Sequence, residues 1–273
     1  MLLNSVILVL QETLEAAVLI SVLIALGRQQ RHAPAWLVCA VAMGLVFATL
    51  YAMNIGIVSG WFDYVGQEVV NALLQILIVV CIVVLFWAIF HLRPIEPGGQ
   101  KSSATAWFRF FAAAIVALAM TREGSEIVLY LGGFLHQPDK LPAVLIGSGI
   151  GFGIGLSVGL LLFYAVTGLA RPRALRVAVY LLALFAGNML AQSVMLLSQA
   201  DWIAAGPALW DSSAWLPERS ITGRLLYALV GYEATPSKWH VISYIAGFML
   251  VVAVALHGAR ITKGRLMAPA DQA

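Results

Sequence analysis

The chain has 273 residues, 62% of them apolar and 11% charged, with a formal net charge of +3, where soluble domains average roughly 45–50% apolar and 25% charged. Polar loops cannot bring such a composition back to that average, so most of the chain must lie in lipid, as its mean hydropathy of +0.92 also requires. The small net charge and the lack of a basic stripe interleaved with aromatics exclude nucleic acid as a partner.

Seven stretches are long enough to cross a bilayer as helices: about 2–26, 34–58, 68–92, 106–135, 142–170, 175–198 and 239–258. The first has no basic start and holds Glu12 and Glu15 where a signal peptide is purely apolar, so it reads as a retained membrane helix. Cys39 and Cys81 fall inside apolar runs without CxxC spacing, which points to packing rather than to a disulfide or a zinc site. The fifth stretch carries Gly147, Gly149, Gly151, Gly153, Gly155 and Gly159, a small-residue surface that admits a close neighbour. Asn71 with Gln75 and Asn188 with Gln192 recur at i, i+4 and read as hydrogen-bonding glue between helices.

Eleven of the sixteen Lys and Arg, among them Arg28, Arg31, Arg93, Lys101, Arg109, Arg171 and Arg260, follow the odd-numbered spans. The positive-inside rule then places the N-terminus outside and the C-terminus in the cytoplasm, in the plasma membrane, or the inner membrane of a Gram-negative cell. Only the connection 199–238 is long, and its Trp202, Trp210 and Trp215 suggest an external cap at the membrane interface. The chain is therefore expected to be all-α, one polytopic transmembrane domain over 1–273.

Residues 10–20 (LQETLEAAVLI) and 121–131 (TREGSEIVLYL) each place Glu-x-x-Glu early in an apolar helix, 111 residues apart. With the first span running inward and the fourth outward, this predicts two inverted three-helix repeats, about 1–104 and 105–198, followed by the external loop 199–238 and an added last helix, 239–258. Inverted repeats are an architecture that transporters use for alternating access.

Glutamates three apart share a helix face, so Glu12 with Glu15 and Glu123 with Glu126 each form a carboxylate pair near mid-bilayer. Ionisable groups there cost about 2.5–3.5 kcal/mol each on insertion scales. One reading is an ion-pair lock between two helices, with Arg122 and Glu126 at i, i+4; yet one arginine cannot neutralise four glutamates. The remaining charge calls for protons, water or a cation, and an all-oxygen set suits a hard cation such as iron(III) or a divalent ion. Protons and metal would compete for the same oxygens. His32, His91, His136, His240 and His257 all sit at or near span ends, so neither a soft-metal site nor a hydrolytic centre is indicated, and a permeation site is preferred to a membrane-embedded metalloenzyme. Asn4 and Leu8 extend the Glu12 face outward, and Tyr130 lies four residues beyond Glu126; each serves either an entry path or helix–helix hydrogen bonding.

The two Glu-x-x-Glu motifs, the second preceded by Arg122, together with GYEATPS at Gly231–Ser237 before the last span, resemble the high-affinity iron permease family, the oxidase-dependent iron transporters that include the bacterial Efe-type permease. The resemblance implies that Glu12, Glu15, Glu123 and Glu126 bind and translocate iron, which is the transported substrate and not a cofactor; the expected activity is movement of iron, as the ferric ion, into the cytoplasm. It also implies an external oxidase or iron-binding protein as partner, and capture of iron by acids of the external loop, for which Asp211 and Glu233 are the candidates; their other reading is as loop residues or helix caps. The first motif departs from the family pattern: Gln11 stands in place of Arg, and Thr13 in place of Gly, which leaves the cluster one unit more negative. Another divalent or heavy-metal cation is the alternative substrate. Nothing in the sequence defines an oligomer interface.

Overall fold

The computed structural model describes residues 1–29, 35–91, 103–204 and 206–267. Arg31, Arg93 and Lys101, counted above toward the basic side, lie outside them, as does His32. The described residues form α1 (Leu2–Gln29), α2 (Ala35–Met53), α3 (Ile55–Ser59), α4 (Gly66–His91), α5 (Ser103–Gly132), α6 (Leu141–Thr167), α7 (Arg171–Gln199), α8 (Ile221–Val230) and α9 (Lys238–Met267). Six of these, α1, α2, α4, α6, α7 and α9, are long and apolar enough to cross a membrane. The seventh long helix, α5, carries Arg109, Arg122, Glu123 and Glu126 along its 30 residues.

The second predicted span, 34–58, is broken. Asn54 donates its side-chain amide to the Leu50 carbonyl 2.8 Å away and ends α2, and α3 continues as a separate turn. Asn competes with the helix for its own backbone groups, which makes it a natural stop. The chain then turns back through Phe62, Asp63 and Tyr64, all at positive φ, and the Phe62 ring stands edge-on to Trp202, centroids 5.6 Å apart.

The glycine face of α6 is the seam with α1. Side chains at Gly147, Gly151, Gly155 and Gly159 would strike, in that order, Leu2 with Ser5, Val6, Thr13, and Ala17. The ascending order shows that α1 and α6 run parallel, in backbone contact over four turns. Gly149 and Gly153, on the other face, meet open space. On α2 the buried residues are Ala40, Gly44, Ala48 and Ala52, and Gly44 and Ala48 lie against Ala117, Met120 and Gly124 of α5. Small residues let both pairs approach closely where lipid supplies no hydrophobic drive between helices.

The remaining contacts place α4 against α5, α7 and α9, α7 along α9, and α1 against α5, α7 and α8. Exchanging α1 with α5, α2 with α6 and α4 with α7 carries most contacts among the long helices into one another: α1 on α6 becomes α5 on α2, α4 on α5 becomes α7 on α1, and α7 on α9 becomes α4 on α9, while α6 on α7 and the contacts of α8 have no counterpart.

The long connection is more than a cap. Its arms are joined where Leu209 N donates to Pro236 O (2.9 Å) and Ser212 N to Ala234 O (2.9 Å). Between them α8 begins at Ser220, whose hydroxyl caps Gly223 N at 3.0 Å, and ends at Gly231 in the left-handed conformation, φ 69°. Its Ala228 is buried with Leu10 and Leu14 of α1, so this short helix reaches the depth of the first glutamate pair. The sequence reading placed the whole connection at the interface; the amphipathic run 221–230 is what carries it inward.

Candidate metal centre

Helices α1 and α5 bring the two glutamate pairs to one place, between α7 and α4. One oxygen each from Glu12, Glu123 and Glu126 lie within 4.8 Å of one another. Two oxygens on opposite sides of a hard cation stand about 4–5 Å apart at ordinary ligand distances, so the three carboxylates are spaced as a single ion would hold them. Oε2 of Glu123, a residue 1% exposed, has no hydrogen-bond partner. A buried carboxylate oxygen left bare is costly, and a cation or a proton relieves it.

Glu15 lies outside this trio, and Arg122 reaches both Glu15 and the trio. The guanidinium Nη1 lies 3.2 Å from Glu15 Oε2 and 2.5 Å from Glu123 Oε1, while Nη2 is 3.7 Å from Glu126 Oε1. Of the four expected carboxylates, three converge, and Arg122 bonds one of these, Glu123, as well as Glu15 outside the trio. The i, i+4 pair of Arg122 with Glu126, read from spacing alone, is the longest of the three.

A layer of amides holds Arg122 from below. Gln192 Oε1 accepts from Arg122 Nη2 (2.9 Å) and from Gln75 Nε2 (2.8 Å), and Gln192 Nε2 donates to Asn188 Oδ1 (3.1 Å). Ser193 Oγ is 3.1 Å from Gln75 Oε1. Gln75, Asn188, Gln192 and Ser193 are all buried, and Asn71 accepts from Tyr51 across α2 and α4 at 3.2 Å. The Asn-x-x-x-Gln pairs were legible as interhelical glue; that one of them anchors the arginine of the acid cluster was not, because nothing in a linear sequence says which helix faces α5.

A cavity of about 360 Å³ leads to the trio from the N-terminal end of α1, lined by Leu8, Glu68, Asn71, Glu126, Leu196 and Gln199 among others. Glu126 is its floor, with a side chain 35% exposed, against 3% for Glu15. Glu68 went unnoticed in the sequence because it falls in the first turn of α4, where an acid is an ordinary helix-start residue. Tyr227 of α8, also unnoticed, feels the charges of Glu15, Arg122, Glu12 and Glu126.

The other candidates have local partners. Gln11 Nε2 reaches the Arg224 carbonyl on α8 at 3.4 Å. Tyr130 shares a 2.7 Å hydrogen bond with Ser5 of α1, a helix–helix contact at the N-terminal end of α1. Asp211 is exposed and accepts from the backbone N–H and hydroxyl of Ser213, at 2.8 and 2.5 Å, which hold its carboxyl below the usual carboxylate range. Glu233 Oε2 lies 2.9 Å from Nδ1 of the buried His240.

Six helices long and apolar enough to cross a membrane, packed with a buried acid cluster, make up an all-helical membrane protein. The Iron permease FTR1 family matches residues 2–267, nearly the whole chain, and the protein belongs to that family. Its activity is accordingly transport of iron or a similar metal through an integral membrane protein. No curated protein and no solved structure shows a significant match to the chain.

Proposed function

We propose that the protein carries ferric iron inward, into the cytoplasm, through the acid cluster between α1 and α5. The convergence of Glu12, Glu123 and Glu126 on one point at the foot of the cavity supports this reading most directly. Iron enters from the N-terminal side, exchanges its water for the three carboxylates, and passes on by way of Glu15; an external oxidase or iron-binding protein delivers it. The all-oxygen ligand set equally suits a hard divalent ion, the second reading.

In this reading α5 crosses the bilayer with the six apolar helices, and the chain consists of two inverted three-helix repeats with α9 added. The glutamate motifs support it, as do the contacts of α1 with α6, α4 with α5 and α7 with α9, which exchange of α1, α2 and α4 with α5, α6 and α7 turns into α5 with α2, α7 with α1 and α4 with α9. So do the small residues Ala40, Gly44 and Ala48 of α2, which recur 111 positions later as Gly151, Gly155 and Gly159 of α6, the spacing that separates Glu12 from Glu123.

The test is uptake of radioactive iron by proteoliposomes holding the full chain, at two pH values and with competing metals. Glu12→Gln, Glu123→Gln and Glu126→Gln should each lower uptake at least tenfold while folded protein is still recovered. Near-normal uptake by any of them refutes the site, and uptake of a divalent metal that iron does not inhibit favours the second reading.

A further inference from the structure

The internal repeat assigns an exit to the ion, an inference that rests on the inverted-repeat permease just proposed. Positions in α1 and α2 recur 111 residues later in α5 and α6, and Asn71 and Gln75 of α4 recur 117 residues later as Asn188 and Gln192 of α7. Applied to the outer cavity, these spacings name its counterpart in the inner half: Glu15 for Glu126, Asn188 for Asn71, Phe185 for Glu68, Ile82 for Gln199, Val79 for Leu196 and Ala119 for Leu8.

The two halves share a backbone plan and differ in chemistry. Gln199 is exposed and Glu68, Leu196 and Leu8 are partly so, whereas Phe185, Ile82, Val79 and Ala119 are 4%, 0%, 3% and 1% exposed and belong to one apolar core; Leu184 and Val18, the counterparts of Gln67 and Leu129, are apolar and half-buried. A bare ion does not cross such a plug, because an apolar medium offers nothing to replace the water it must shed. The charge arrangement is also one-sided. Arg122 bonds Glu15, the inner acid, while its counterpart position in α1 is Gln11, which is uncharged and turned to α8. The same guanidinium also reaches Glu123 and, at 3.7 Å, Glu126, but Glu15 is 3% exposed beside it whereas Glu126 is 35% exposed and open to the cavity.

We infer that the exit is the shut counterpart of the entrance: the ion passes from the carboxylate trio to Glu15 as Arg122 gives that carboxylate up, then leaves past Asn188 through a gate made by Val79 and Ile82 of α4, Phe185 of α7 and Ala119 of α5. The Gln75–Gln192 hydrogen bond is its own counterpart under the exchange of repeats and marks the pivot between α4 and α7. Separation of the two helices below this pair opens the gate, and their approach above it closes the cavity.

Cysteine accessibility tests this with the full chain in proteoliposomes, after Cys39→Ala and Cys81→Ala remove the native thiols. Without iron, a membrane-impermeant maleimide should label Gln199→Cys from the N-terminal face and Ile82→Cys from neither face. Saturating ferric iron should raise labelling of Ile82→Cys from the C-terminal face several-fold and lower that of Gln199→Cys. Val79→Cys carries the same expectation as Ile82→Cys and serves where the latter does not fold. Both gate thiols staying silent during active uptake, or reacting along with Gln199→Cys in the absence of iron, overturns the proposal. Uptake by unlabelled wild-type vesicles judges the functional reading on its own: no uptake refutes iron transport, whereas uptake with a silent gate refutes only the exit.

Discussion

Arg122 is the residue on which the acid cluster balances. It is 7% exposed, bonds Glu15 and Glu123, and is held by Gln192. Removing one partner of a buried ion pair costs on the order of 3–5 kcal/mol, because the other charge is left uncompensated. Arg122→Gln strips four carboxylates of their one guanidinium, so it should lower the melting temperature in detergent. Added iron should then recover more of that loss than it adds to the wild type, since a ligand bound to the native state stabilises by mass action; equal shifts in both proteins count against a cation at the cluster. Asp211 makes a contrasting case. Its carboxyl is held low by Ser213, so the turn it stabilises is intact above the ordinary carboxylate range and is lost only as pH falls through the depressed value. It stays ionised across roughly pH 5–7, and Asp211→Asn should leave any change of uptake rate over that interval unaltered; a flattened pH profile shows that Asp211 is itself the titrating group.

At the scale of the element, the seam between α1 and α6 sets the position of Glu12 and Glu15. Its glycines allow backbone contact, and a side chain at Gly151 would meet Val6 and Leu10. Overpacking such an interface typically costs about 1–3 kcal/mol, and here it also displaces the helix that carries two of the glutamates. Gly151→Val should therefore lower both folded yield and uptake, while Gly149→Ala and Gly153→Ala, which meet open space, should leave uptake unchanged and raise stability slightly; equal effects on the two faces would show that the seam is not closely packed. The glycine surface was legible because a small residue every four positions is a pattern along one helix. The role of α8 was not. Ten residues between Ser220 and Gly231 carry start and stop signals, but a helix too short to span says nothing about depth, and only the burial of Ala228 against Leu10 and Leu14 places it beside the cluster.

For the whole molecule, the described basic side chains Arg28, Arg171, Arg173 and Arg176 lie at the ends of α1 and α7 away from the cavity, the distribution expected of a cytoplasmic face. In cells, a protease-cleavable tag at the C-terminus should resist external protease until the membrane is opened, and one at the N-terminus should be cut at once; the reverse result inverts the proposed direction of transport. The sequence by itself determined that the chain lives in lipid, that its spans are helices, and that Glu12 with Glu15 and Glu123 with Glu126 pair along apolar helices. These follow from composition and from periodicity within single helices, which are local properties. Only the tertiary structure decided that three glutamates converge, that Arg122 bonds Glu15 and Glu123, that Gln192, itself bonded by Gln75, holds this arginine, and that the cavity reaches Glu126. Those outcomes depend on which faces of separate helices meet, and in a bilayer, where every apolar face is equally content with lipid, the meeting is settled by close packing and a few polar contacts distributed over the whole chain.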